Sequence, residues 1–172
     1  MRYGLHTTHC RLWTPRTIRP AWTVKLSYQY GYLSVALNPM NGHLIAAFLP
    51  DMSQASYQAF VEEVEKESAG RMILYRDRAG AHLAKTLVVP PTIALREIPA
   101  YSLELNPAEG FFEALRPRLS NTVFESLEAL EASITEILKE YWENPQMVRR
   151  LCCFAWIRRG LHKKSKHQSS DN

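Results

Sequence analysis

Two carboxylates, Asp77 and Glu109, stand 32 positions apart in the 172-residue chain. Asp77 closes the apolar run "RMILYRD". Glu109 lies in "LELNPAEGFF", after the next strand-like run and at the start of a helical pattern. If the strands beginning at Met72 and Ile93 lie side by side, both carboxylates converge at one sheet edge, where open α/β sheets collect their sites. Two ionised carboxylates at close range repel, and a divalent cation relieves the repulsion. Hard oxygen donors suit Mg²⁺ or Mn²⁺. Two such ions about 4 Å apart activate a water and stabilise the leaving oxygen in phosphodiester cleavage. His82, five residues after Asp77, is placed to approach the same point or a phosphate. Arg76, Arg78, Arg116 and Arg118 are candidates for DNA phosphate contacts.

Each of these residues also has a plainer use. Asn106 suits a helix N-cap and Pro107 the first helical position. Glu109 then falls where a capping-box carboxylate reaches back to the Asn106 amide. Asp77 at a strand end can start an Asx-turn. A histidine after a turn is ordinary on a surface, and four arginines can form a solvated face. Trp13 and Trp22 beside Arg11, Arg16 and Arg19 make a basic-aromatic cluster, a weak signal for nucleic acid. Spacing alone leaves both readings open.

The elements that must position these groups are legible in outline. Residues 1–20 are basic and polar and read as a loop. "WTVKLSYQYGYLSVALNP" is rich in β-branched and aromatic residues and reads as a strand. Asn41-Gly42 then signals a hairpin, since both residues tolerate positive φ, and "HLIAAFLP" returns. "DMSQASYQAFVEEVEKESAG" reads as a helix capped by Asp51 or Ser53, with Phe60, Val61 and Val64 as its apolar stripe and Gly70 at its C-cap. "RMILYRD" and "TIALREIPAY" are short strands around a small helix or turn, "AGAHLAKTLVVP". A helix follows from Pro107 to Leu119. Ser126 caps another, with Leu127, Leu130, Ile134, Leu138 and Tyr141 on one face. "NPQMVRRLCCFAWI" suggests a further short helix. This order predicts an α/β fold, a mixed sheet with helices packed on it. Residues 1–160 form one domain, and 161–172 a basic polar tail of disorder-prone composition.

Bulk composition narrows the class. Hydrophobic content of 46% with 22% charged residues is that of a globular chain. A net charge of +4 is compatible with a polyanionic partner without requiring one. Three cysteines, two of them adjacent, make no disulfide framework. A reducing, cytoplasmic setting fits them best. No CxxC or HxxxH spacing suggests zinc, no apolar run reaches the length of a membrane helix, and "MRYGLHTTHCRLWTP" lacks a signal peptide's apolar core.

"LYRDRAGAHLAKTL" followed by "IALREIPAYSLELNPAEGFFEALRPRLSN" resembles the catalytic domain of insertion-sequence transposases of the mariner-like superfamily, the DDE endonucleases. The likeness runs from about Arg2 to Trp156 and includes "RLWTPRTIRP" and "NPQMVRRLCCFAWI". It implies a ribonuclease H-like fold and metal-dependent cutting and joining of DNA. Asp77 matches the family's second metal-binding Asp, Glu109 its third carboxylate, and His82 a histidine of its motif. Asn106 has a supporting role, fixing where the helix begins. Mg²⁺ or Mn²⁺ is the implied cofactor. Duplex DNA, as transposon ends and target, is the implied partner, with a homodimer or pairing with an intact transposase as further possibilities. Leu103 departs from the family's usual Pro, a change of turn residue rather than of ligand.

The larger departure is at the start. The family's first catalytic Asp precedes the segment resembling "MRYGLHTTHCRLWTP", and its helix-turn-helix region lies further upstream still. Neither is present here. The expectation is therefore a domain incomplete at its N-terminus, lacking most of its first strand, with little or no strand-transfer activity alone. Asp51 follows the hairpin, whereas the family's ligand precedes it, so Asp51 is no substitute. Two other readings stand beside this one: a non-catalytic DNA- or partner-binding remnant of a transposase, and an unrelated α/β metal-dependent phosphodiesterase.

Overall fold

A computed structural model describes residues 1–11, 13–18, 21, 23–68, 70–77 and 87–159. Strands β1 (Arg2–Gly4), β2 (Tyr30–Leu37) and β3 (Leu44–Leu49) form an antiparallel sheet in the order β1-β2-β3. Helix α1 (Gln54–Lys66) follows. Strands β4 (Met72–Arg76) and β5 (Ile93–Glu97) then pair in parallel, with Met72 opposite Ile93 and Arg76 opposite Glu97. A single 3₁₀ turn, Leu103–Leu105, leads into α2 (Pro107–Leu119), α3 (Leu127–Glu143) and α4 (Pro145–Cys152).

Strict alternation along β2 and β3 places the layers. Leu33 and Leu44, with Val35, Leu37, Ala46 and Phe48, face a cluster built by α2, α3 and α4. Ile45 and Leu49, with Tyr32, Ala36 and Ala47, face the other way, toward Tyr57, Phe60, Val61 and Val64 of α1. Period-two alternation with both faces apolar is the pattern of a sheet covered on both sides.

The sequence expectations hold for most elements, with five local differences. The expected single mixed sheet is two separate sheets among the described residues. A central strand must pair along both edges; β1 has three residues and pairs with β2 alone. Residues 2–4 were expected in a loop, because "RYG" has no strand signature of its own; pairing of Tyr3 with Gly31 makes them a strand. The strand expected from Trp22 onward begins at Tyr30. Just before it, the chain runs beside residues 5–7 through isolated bonds, Leu5 N–H to the Gln29 carbonyl and Thr7 N–H to the Lys25 carbonyl, both 3.1 Å. The hairpin forms, but only Gly42 of Asn41-Gly42 has positive φ, at 80°. Six residues, 38–43, make the turn, and the Asn38 side chain accepts the Met40 amide at 2.9 Å. Finally, Gly70 (φ 90°) lies beyond the α1 C-cap, which is Glu67.

The helix starts follow capping chemistry. Ser53 caps α1 by accepting the Ser56 amide at 3.2 Å, while Asp51 accepts the Ser53 amide at 2.9 Å. Ser126 caps α3 through the Ala129 amide at 3.2 Å. No pair of cysteines is bridged. Cys152 is buried and its thiol donates to the Pro107 carbonyl at 3.3 Å. Burial, then the neighbouring Cys153, pushes that thiol up to about 12. The thiolate is the reactive form, so maleimide at pH 8 is expected to label Cys10 and Cys153 in the native protein, and Cys152 only after unfolding. Peptide mapping checks this; early labelling of Cys152 would contradict its packing.

Candidate functional site

Strands β4 and β5 pair in parallel, the arrangement that the convergence of the two carboxylates requires. Asp77 is the first residue past β4, and the pairing continues there through the Ile98 amide to the Arg76 carbonyl at 2.8 Å. The chain leaving β5 turns through Leu103–Leu105 into α2, whose first turn carries Glu109. Asn106 caps α2 as expected: its side-chain oxygen accepts the Ala108 amide at 3.1 Å, and its carbonyl accepts the Glu109 amide at 3.1 Å. The reciprocal half of a capping box is not made among the described residues. The Glu109 carboxylate, one-third exposed, instead faces Arg116 Nη2 at 3.8 Å, two turns along the same helix.

A third group reports that these carboxylates share one neighbourhood. The amino group of Met1 donates to the Leu33 carbonyl at 2.6 Å, extending the β1–β2 pairing. Burial lowers its pKa most; Glu109 raises it, Arg116 lowers it, and Asp77 raises it. Asp77, Glu109 and Arg116 thus all lie within Coulombic reach of the start of β1.

The other candidates divide. Arg76 turns inward: its side chain is 15% exposed, with Nη2 3.8 Å from Glu97, and its Nε and Nη1 are buried without a hydrogen-bond partner among the described residues. Arg118 forms a two-pronged pair with Glu140, at 2.9 Å for Nη1. The pair raises the pKa of Arg118 and lowers that of Glu140. Arg116 is half exposed beside Glu109. Arg78 and His82 lie outside the described residues, as do Arg19 and Trp22 of the basic-aromatic cluster. Trp13 of that cluster is fully exposed. Tyr57, not anticipated from the sequence, reaches this end from α1. Burial raises its pKa most, the Arg76 hydrogen bond and charge oppose, and Asp77 raises it further. Its phase with Phe60, Val61 and Val64 signalled burial, but nothing in the sequence marks its approach to Asp77.

Chemically, the arrangement offers two hard anionic ligands at one end of a parallel strand pair. Among the described residues no three His, Cys, Asp or Glu gather as a metal site. Residues 1–50 contain no Asp or Glu at all, so β1, β2 and β3 supply no third carboxylate.

Comparison with known proteins bears on the family and the fold. Residues 7–131 match the family described as DDE superfamily endonuclease. An uncharacterized protein of Sinorhizobium fredii, y4pE/y4sA, is 25% identical over 133 residues, 76% of this chain and 98% of that protein. Among solved structures, the chain resembles the Mos1 transposase paired-end complex with left transposon end, with a TM-score of 0.62 and 17% identity over 87% of this chain. It also resembles the Mos1 strand transfer complex (TM-score 0.62, 18% identity) and the Mos1 mariner paired-end complex with Mn (TM-score 0.59, 18% identity). At such identities the likeness is one of fold, that of the transposase's ribonuclease H-like catalytic domain. The chain spans about half the length of these structures, 50%, 48% and 51%. No helix among the described residues is long and apolar enough to cross a membrane.

Proposed function

This chain belongs to the DDE superfamily endonuclease family, and on that premise we propose that it acts on DNA as the catalytic-domain portion of a transposase, with Asp77 and Glu109 as two of the metal-binding carboxylates. The observation that supports the reading is the parallel β4–β5 pair, with Asp77 directly after β4 and Glu109 in the first turn of the helix that follows β5. Duplex DNA is the proposed substrate. A second copy, or an intact transposase, is the proposed protein partner.

The donor set fits one hard divalent ion, Mg²⁺ or Mn²⁺, held by Asp77, Glu109 and water. It does not fit a pair of ions, since no third carboxylate accompanies these two among the described residues. Asp77 and Glu109 would hold such an ion, which would supply Lewis-acid polarisation of a phosphate oxygen. The chain's own groups do the rest. The Asn106 cap fixes where α2 begins, and so where Glu109 points. Arg116 offsets the Glu109 charge and weakens its hold on a cation.

Supercoiled plasmid incubated with the chain and Mn²⁺ tests this, beside Asp77→Ala. The expected result is no nicking above background, with weak Mn²⁺ binding, read by electron paramagnetic resonance, that Asp77→Ala removes. Nicking abolished by the substitution would keep the site and overturn the inactivity. Nicking or Mn²⁺ binding indifferent to Asp77 would sink the assignment.

A further inference from the structure

Charge is segregated along this chain in a way its net +4 conceals. From residue 144 to residue 170 there are seven Lys and Arg and no Asp or Glu, so the remainder of the chain carries a net −3. The described part of this stretch is α4 and the turn after it, residues 155–159. Ile157 is buried and anchors that turn, while Arg158 and Arg159 are exposed. Trp156 is 47% exposed and stacks on Phe154, with ring centroids 6.3 Å apart and planes at 23°. Arg150, on the last turn of α4, is also exposed. Arg118 and Arg116 face carboxylates, but Arg150, Arg158 and Arg159 face none among the described residues. These cations are not used up by the fold.

Position makes the patch specific. The last turn of α4 packs on the first turn of α2, the turn that carries Glu109. Cys152 donates to the Pro107 carbonyl. A Cβ added at Gly110 would stand 3.1 Å from the Leu151 carbonyl oxygen and 3.7 Å from the Phe154 ring. The absence of a side chain at Gly110 is what lets the two turns approach.

We propose that Arg150, Trp156, Arg158 and Arg159 form a docking track for the backbone of duplex DNA, running up to the Glu109 turn. Three guanidiniums without a carboxylate partner among the described residues suit phosphate oxygens by charge and hydrogen-bond donors, and the flat indole offers a surface to a sugar or frayed base. The direction of the track rests on the reading of Asp77 and Glu109 as the cutting site; the binding itself does not.

Fluorescence anisotropy of a labelled 30-base-pair duplex with the full chain tests it. Arg158→Glu with Arg159→Glu is expected to weaken binding at least about 10-fold and to lower the salt slope by about 2. Lys66→Glu with Lys139→Glu makes the same change in net charge at two surface ion pairs and is expected to stay within about 2-fold. Arg158→Gln with Arg159→Gln is expected to weaken binding to a lesser degree, and Trp156→Ala to do so without altering the salt slope. Equal losses from both charge reversals, or no loss from the arginine pair, would overturn the proposal. So would binding to phosphatidylserine vesicles in preference to the duplex. If the arginine pair matters while Mn²⁺ binding is indifferent to Asp77, the track stands and the cutting site falls.

Discussion

Phe111→Ala is expected to destabilise the protein by about 3–5 kcal/mol. The ring is fully buried on α2, edge-on to Tyr141 of α3 at 5.0 Å and to Phe112 at 6.0 Å. Truncation removes that apolar area, both aromatic contacts and the filling of a space bounded by three helices and β2. Leu115, Ile134, Leu138 and Val148, all at most 1% exposed, line the same cluster and cannot all move inward to close it. Since a domain's whole stability is about 5–15 kcal/mol, the loss is a large share of it. For a chain of this size the melting temperature should fall by roughly 10 °C or more. Urea titration checks it as a lower midpoint at unchanged slope. A loss below about 1 kcal/mol would mean that α2 does not pack on α3 as described. The consequence reaches the site, because Phe111 stands two residues beyond Glu109 and holds the turn that aims it.

How much of this was readable beforehand depends on the range of the interaction that decides each element. Short-range chemistry was legible. Asn106-Pro107 placed the start of α2, and Ser126 the start of α3, because a cap and its amide lie within three residues. The stripe Leu130, Ile134, Leu138 and Tyr141 is buried as its period required. Long-range pairing was not legible. β1 is a strand only because β2 lies beside it, 28 residues away at the Tyr3–Gly31 pair. Arg118 is tied to Glu140 by the crossing of α2 and α3, which no local pattern encodes.

The candidate site shows the same division. Asp77 and Glu109 were proposed from two local signals, a strand end and a helix start, and of the arrangement they required the parallel pairing of Met72 with Ile93 is present. What spacing withheld was the company they keep: Arg116 beside Glu109, Tyr57 arriving from α1, and the Met1 amine held by Leu33. The last two are tertiary contacts between elements whose faces are individually unremarked in sequence, while Arg116 lies two turns from Glu109 on α2 itself. Charge segregation after residue 144 was visible, but its meaning needed the docking of α4 on the Glu109 turn.

Gly42→Ala is the second large expectation, and it tests how the two halves of the chain are joined. Gly42 has φ 80°, where a side chain is strained by about 1–2 kcal/mol. A Cβ there would also stand 2.1 Å from the Pro145 carbonyl oxygen and 2.7 Å from its carbon. Both are backbone atoms, so no rotamer change relieves the overlap; either the hairpin or the first turn of α4 must shift. The expected total is about 3 kcal/mol or more, at the high end for a strained backbone position. Gly70→Ala is the control, with φ 90° and nothing within 4 Å of the added carbon. It carries the backbone strain alone, about 1 kcal/mol. The difference between the two melting shifts isolates the hairpin–α4 contact. Equal shifts would mean that the β2–β3 turn does not rest on Pro145. If the contact is real, Gly42→Ala should also weaken duplex DNA binding, because the shifted helix is the one whose far end carries Arg150 and leads to Arg158 and Arg159.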